Sequence, residues 1–187
     1  PLFPQYQVVE MFSLQYEPLN SLNLERNLGN HQAGAWMTFE GRVRKMHKKK
    51  EVLRLEYEAY EELAQKEAEL IFNEAREKFQ ILEVKGWHRL GVVSVGELGM
   101  WISIASAHRK EGFRAIEYII DEIKARLPIW KKEFFVDGSS HWVDCRGCHH
   151  QTHSITEKEY YQRQISLPEV GSVGQARLKS SRVLVVG

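Results

Sequence analysis

SAHRKEGFRAIEYIIDEIKARLPIWKKE, residues 106–133, is the stretch on which the reading of this chain turns. Before it, MWISIASA (100–107) alternates in the manner of a strand and runs directly into His108 and Arg109. Within it, Phe113, Ile116, Ile120, Ile123 and Leu127 recur at helical spacing, which predicts a helix from Lys110 to Arg126 with those side chains inward. Pro128 cannot continue such a helix, because its ring fixes φ and it offers no N–H. After it, EFFVDGSSHWV (133–143) reads as a hairpin turning at Asp137 and Gly138.

Working upstream, residues 61–79 place Leu63, Ala64, Ala68, Ile71, Phe72, Ala75 and Phe79 on one helical face. GAWMTFEGRVR (34–44) alternates Ala35, Met37 and Phe39 against Trp36, Thr38 and Glu40. VLRLEYEAY (52–60) alternates too, with Leu53, Leu55, Tyr57 and Ala59 inward, so these two strands are expected to form one hairpin across the basic run RVRKMHKKKE (42–51). ILEVKGWHRLG and VVSVGELG supply short strands broken at Gly91 and Gly96. FSLQYEPLNSLNLE (12–25) predicts a strand, a turn and a helix start capped at Ser21 or Asn23. Strands and helices mix without strict βαβ alternation, which indicates an α+β domain of antiparallel sheets with packed helices.

The 187 residues suffice for one domain with a real core and an appendage. Lys and Arg total 26 against 25 for Asp and Glu, so no global field favours nucleic acid or an acidic membrane. The sequence has no apolar run near the roughly 20 residues that span a bilayer and no secretory signature at 1–10, and a cytoplasmic protein is expected. Residues 1–10 read as a leader or tag, 11–144 as the main domain and 145–159 as a polar linker. Residues 160–187 regain order, with a helix near Gln175–Lys179 and a strand at Arg182–Val186.

Several groups in this frame suit chemistry on an anion. His108 and Arg109 fall where a strand becomes a helix, a place where backbone N–H groups favour anions and a guanidinium adds a bidentate fork; pairing of Arg109 with a surface carboxylate is the alternative. Lys124 lies in the last helical turn, which the helix dipole alone would explain. Lys131 is set among the apolar groups of LPIWKKEFF beside another cation, which suits a general acid or base, and Glu133 would neutralise or orient it. The basic run 42–51 reads as a solvated loop. Cys145, Cys148, His149 and His153 have zinc-type spacing, with a plain linker as the alternative and no metal expected in the main site. CRGCH also matches a c-type haem attachment pattern, which would need an exported protein.

FEGRVR (39–44), LEYEAY (55–60), HRLG (88–91), SAHR (106–109) and IKARLPIWKKE (123–133) together resemble the large, catalytic subunits of molybdopterin synthases. The resemblance implies that family's α/β hammerhead fold and a sulfurtransferase that needs no cofactor. Its substrate would be cyclic pyranopterin monophosphate, which becomes molybdopterin by gaining a dithiolene. The sulfur would come from a small ubiquitin-like carrier subunit ending in a Gly-Gly thiocarboxylate. By the same resemblance Lys124 and Lys131 are the catalytic pair, in exchangeable roles, and Arg44, His108, Arg109 and Glu133 bind substrate. A straight helix would hold Arg109 and Lys124 far apart, so a homodimer of large subunits with a shared site is expected, within a heterotetramer.

YYQRQISLPEVGSVGQARLKSSRVLVVG (160–187) is similar to the opening of the adenylyltransferases that activate such carriers, with Arg163 in their Arg-Gln motif. That family's glycine-rich loop is not among these residues, and no ATP chemistry is expected of them. The competing reading of the whole chain is a non-catalytic module that docks a ubiquitin-like tail, or nucleic acid, through residues 42–50.

Overall fold

Residues 11–25, 29–143 and 161–181 are described by a computed structural model. The zinc-type residues Cys145, Cys148, His149 and His153, the leader 1–10, the linker 145–159 and the strand expected at 182–186 lie outside them.

The chain runs β1 (Phe12–Gln15), α1 (Ser21–Glu25), β2 (Ala35–Arg42), β3 (Met46–His47), β4 (Lys50–Ala59) and α2 (Glu61–Phe79). It continues through β5 (Glu83–Arg89), β6 (Gly91–Ser94), β7 (Leu98–Ser106), α3 (Arg109–Arg126), β8 (Ile129–Phe135) and β9 (Ser140–Val143). Two further helices, α4 (Gln162–Ile165) and α5 (Gly171–Ser180), follow, the second covering the helix expected at 175–179. The α+β class holds.

One sheet has the order β1-β5-β7-β2 and is antiparallel except for the parallel β1–β5 pair. All of β7 is buried, because both its faces are covered. Met100, Ile102 and Ile104 meet the main core under α2 and α3, while Trp101 joins Leu19, Leu24 and Leu98 on the other side. Ile71 and Phe72 of α2 are fully buried there, each contributing about 2 kcal/mol by leaving water. That approach requires Gly86: a Cβ at this position would lie 2.7 Å from Ile102 Cδ1 and 2.8 Å from Phe72 Cζ.

The second sheet has the order β3-β4-β8-β9, with β6 also paired to β4. It gathers a smaller core of Val43, Val52, Leu55, Val93 and Phe135. The hairpin expected between residues 34–44 and 52–60 is therefore wrong. β2 pairs with β7, β4 pairs with β8 and β6, and the basic run closes on itself as the β3–β4 hairpin. Its two turn residues, Lys48 and Lys49, have φ of 47° and 66°, as a two-residue hairpin loop demands. Two alternating segments in sequence do not say which sheet each joins, and this short turn sends them to different ones.

Three smaller expectations also fail for physical reasons. Leu53 is 52% exposed while Val52 and Leu55 are buried, because the β4–β8 register shifts between Val52 and Arg54 and moves the alternation by one residue. On α3 the core side is Gly112, Ala115, Ile119 and Ile123, and Phe113 is 62% exposed. The small residues bring the helix close to the sheet, which turns Phe113 outward. The backbone N–H groups of Asn23 and Leu24 both donate to the Asn20 carbonyl, so the cap of α1 is Asn20 rather than Ser21 or Asn23.

The α2–α3 contact is clamped by Arg126. Its guanidinium donates to Glu67 Oε1 at 2.7 Å, Glu74 Oε2 at 2.6 Å and Glu122 Oε2 at 3.3 Å. Tyr118 adds an O–H bond to Glu74, and burial followed by that bond pushes its phenol up to about 12. α4 lies against α3. Among the described residues no helix is long and apolar enough to cross a membrane.

Candidate active site

β7 hands the chain to α3 through Ser106, Ala107 and His108. Ser106 Oγ–H donates to the His108 carbonyl at 2.8 Å, holding His108 extended at φ −132° and ψ 148° as the N-cap. No side chain caps this end, so the first N–H groups of α3 face outward with exposed His108 and Arg109 beside them. Positive partial charge, a guanidinium and an imidazole thus converge at a place suited to a phosphate.

Lys124 is half-buried in the last turn of the same helix. Fifteen residues separate it from Arg109, or about 22 Å along the axis. Within one chain the helix therefore keeps these two expected site residues apart.

Leu127 leaves the helix in an extended conformation and Pro128 leads into β8. Strand alternation then sorts the two adjacent lysines. Lys132 goes to the face where it lies over the Phe134 ring at 5.2 Å and the Trp142 ring at 5.6 Å. Lys131 goes to the opposite face, shared with Glu133 and Phe135, its side chain only 20% exposed. Lys131 Nζ stands 3.5 Å from Glu133 Oε1.

Glu133, expected among the substrate contacts, is buried and already engaged. His47 Nδ1–H donates to its Oε2 at 2.5 Å, and His141 Nε2 lies 3.9 Å from the same oxygen. The His141 ring stacks on Phe135 at 5.0 Å. Neither histidine was singled out by the sequence. His47 sat in a basic run read as loop, 86 residues from its partner, and only strand pairing joins them.

Exposed Arg44 stands at the root of the β3–β4 hairpin. The backbone around it is pinned by Val43 N–H to Glu97 O, Gly96 N–H to Val43 O and Val52 N–H to Lys45 O. Lys131 and Glu133 thus belong to the second sheet, Arg44 to the connection that leads from β2 into it, and His108 and Arg109 to the far end of α3. Three cations of the basic run are paired with carboxylates, Arg42 with Glu40, Lys45 with Glu51 and Lys50 with Asp137. Among the described residues no group of three or more His, Cys, Asp or Glu is arranged to hold a metal ion.

Two sheets bridged by a helix with an uncapped, positively flanked start, and a lysine set against a buried carboxylate just past its end, make an α+β arrangement suited to acid–base chemistry on an anion. The MoaE protein family matches residues 14–126, more than half of the chain. A molybdopterin synthase catalytic subunit from Thermoplasma volcanium is 41% identical over 124 residues, covering 66% of this chain and 90% of that one. The Bacillus subtilis molybdopterin synthase catalytic subunit is 39% identical over 135 residues, covering 72% and 85%. The solved molybdopterin synthase from Staphylococcus aureus superposes with a TM-score of 0.67 at 35% identity, covering 71% of this chain and 96% of that one. The chain belongs to the MoaE protein family, and with it to the sulfurtransferases of molybdenum cofactor biosynthesis.

Proposed function

We propose that the chain moves sulfur from the thiocarboxylate of a small ubiquitin-like carrier onto cyclic pyranopterin monophosphate, building the dithiolene of molybdopterin. The observation that carries this reading is the Lys131–Glu133 pair, a largely desolvated ammonium held 3.5 Å from a buried carboxylate close to the C-terminal end of α3. Each sulfur added to the pterin side chain requires a proton to move at carbon or oxygen. Lys131 moves it, Glu133 holds Lys131 in place from behind, and Lys124 stabilises anionic intermediates, with the two lysines exchangeable in role. Arg44, His108 and Arg109 take the substrate phosphate.

The 22 Å length of α3 between Arg109 and Lys124 favours a homodimer in which His108 and Arg109 of one protomer face Lys124 and Lys131 of the other. With two carriers bound this is a heterotetramer. Residues 11–144 are the catalytic domain, 145–159 a joint, and 160–187 the start of an adenylyltransferase-like unit, with its first helices at Gln162–Ile165 and Gly171–Ser180.

The test is turnover. The purified chain, given thiocarboxylated carrier and cyclic pyranopterin monophosphate, forms dithiolene product and returns the carrier as its carboxylate. Carrier that binds and is never desulfurated would overturn the assignment.

A further inference from the structure

Glu133 is shared rather than simply paired. One carboxylate oxygen faces Lys131 Nζ at 3.5 Å and the other accepts from His47 Nδ1 at 2.5 Å. A carboxylate whose side chain is only 5% exposed has few ways to satisfy its charge, so what one neighbour does is felt by the other. We propose that His47 is a positioning residue for Lys131, acting through Glu133. The inference rests on the function assigned above for its kinetic consequence, though not for the coupling itself.

The fold is arranged to deliver His47 to this place. Lys48 and Lys49 both take positive φ, a conformation that costs a lysine about 1 kcal/mol, to turn the chain in two residues. That turn sets His47 opposite Lys50, and Lys50 in turn reaches Asp137 Oδ2 at 2.9 Å in the β8–β9 turn. The basic hairpin is thereby tied at two points to the hairpin that carries Lys131 and Glu133.

The surroundings make His47 the tunable partner. From β4, Leu55 and Tyr57, neither a carboxylate nor an amine, stand opposite Glu133 and Lys131. β6 contributes apolar Val93 to the adjoining core, and β8 adds Phe135. β9 brings His141, whose Nε2 is 3.9 Å from Glu133 Oε2, beyond hydrogen-bond reach. Lys50 is held by Asp137 and lies 5.4 Å over the Phe135 ring. With His47 neutral, Glu133 keeps a full charge for Lys131 and holds the ammonium in place. With His47 protonated, Glu133 turns its charge to the imidazolium and its hold on Lys131 weakens.

The experiment compares wild type, His47→Gln and His47→Phe. Gln keeps an N–H donor that does not titrate, and Phe removes the donor. In the wild type kcat falls once the pH is low enough to protonate His47. In His47→Gln that limb is absent while kcat at pH 8 stays near wild type. In His47→Phe kcat at pH 8 falls on the order of tenfold with KM for the pyranopterin within about twofold. A second readout needs no turnover: the Lys131 Cε resonance of the free protein shows a step at the His47 titration in wild type, and none in His47→Gln. If Lys131 ignores the His47 titration, or His47→Gln keeps the wild-type pH profile, the proposal is overturned. Intact coupling in a wild type that does not turn over supports the positioning and counts only against the function assigned above. Should His47→Phe unfold, His47→Gln carries both readouts.

Discussion

Arg109 and Lys124 stand at opposite ends of one helix, about 22 Å apart along its axis. Two long side chains and a small phosphate ester cannot comfortably close that gap, which is why a second protomer is proposed to complete the site. The check is subunit mixing. His108→Ala and Lys124→Ala homodimers are each inactive, and their equimolar mixture recovers roughly a quarter of wild-type turnover, since half of the dimers carry one intact site of two. Mixed dimers that form stably and recover nothing would place the site within one chain.

The Arg126 clamp gives a stability prediction. Its side chain is 20% exposed and serves Glu67, Glu74 and Glu122, so Arg126→Met leaves three carboxylates without their shared cation. A loss of about 2 kcal/mol, discounted from a fully buried pair for this exposure, is expected by chemical denaturation. The penalty depends on pH. Glu74 titrates below its ordinary value chiefly because of the Arg126 hydrogen bond, so its contribution is present above the unfolded value of 4.5 and disappears as pH falls through the lower folded value. The difference between wild type and Arg126→Met therefore shrinks on acidification below about pH 4.

Gly112 sets how closely α3 begins against the sheet. A Cβ there would lie 2.7 Å from Ser106 Oγ and crowd the Met37 sulfur. Gly112→Ala is expected to cost about 1–3 kcal/mol and to disturb the Ser106–His108 bond that sets the N-cap. Thermal melting reads the first effect, and a raised KM for the pyranopterin the second.

The Lys48–Lys49 turn predicts a gain. Replacing the pair with Asn-Gly removes two unfavourable φ values and is expected to stabilise the chain by about 1 kcal/mol without touching His47 or Glu133. Melting temperature checks it, with turnover expected to be unchanged.

What could be read from the chain follows from the range of each signal. The helix 61–79 and most of the strand expected at 100–107 were legible because periodicity and burial are local, and Lys131 and Glu133 were legible as a lysine among apolar neighbours with a carboxylate close by, although the strand β8 that carries both was not. The partner of β2 was not, since alternation shows that a strand exists and not which strand it meets. The Leu53 shift was hidden in the same way, because a bulge depends on the register with β8. Phe113 was misplaced because an aromatic at helical spacing looks like core, whereas Gly112 and Ala115 owe their place to the close approach of the sheet. His47 and His141 had no local signal at all: their meaning comes from a carboxylate that only the assembled second sheet brings to them.

In the proposed mechanism Lys131 moves the proton in sulfur transfer. The direct measurement is single-turnover product formation by Lys131→Ala, with thiocarboxylated carrier and cyclic pyranopterin monophosphate both saturating. The expected rate is lower by on the order of a hundredfold or more, with carrier affinity and melting temperature retained. Dithiolene formed at the wild-type rate by Lys131→Ala would contradict it.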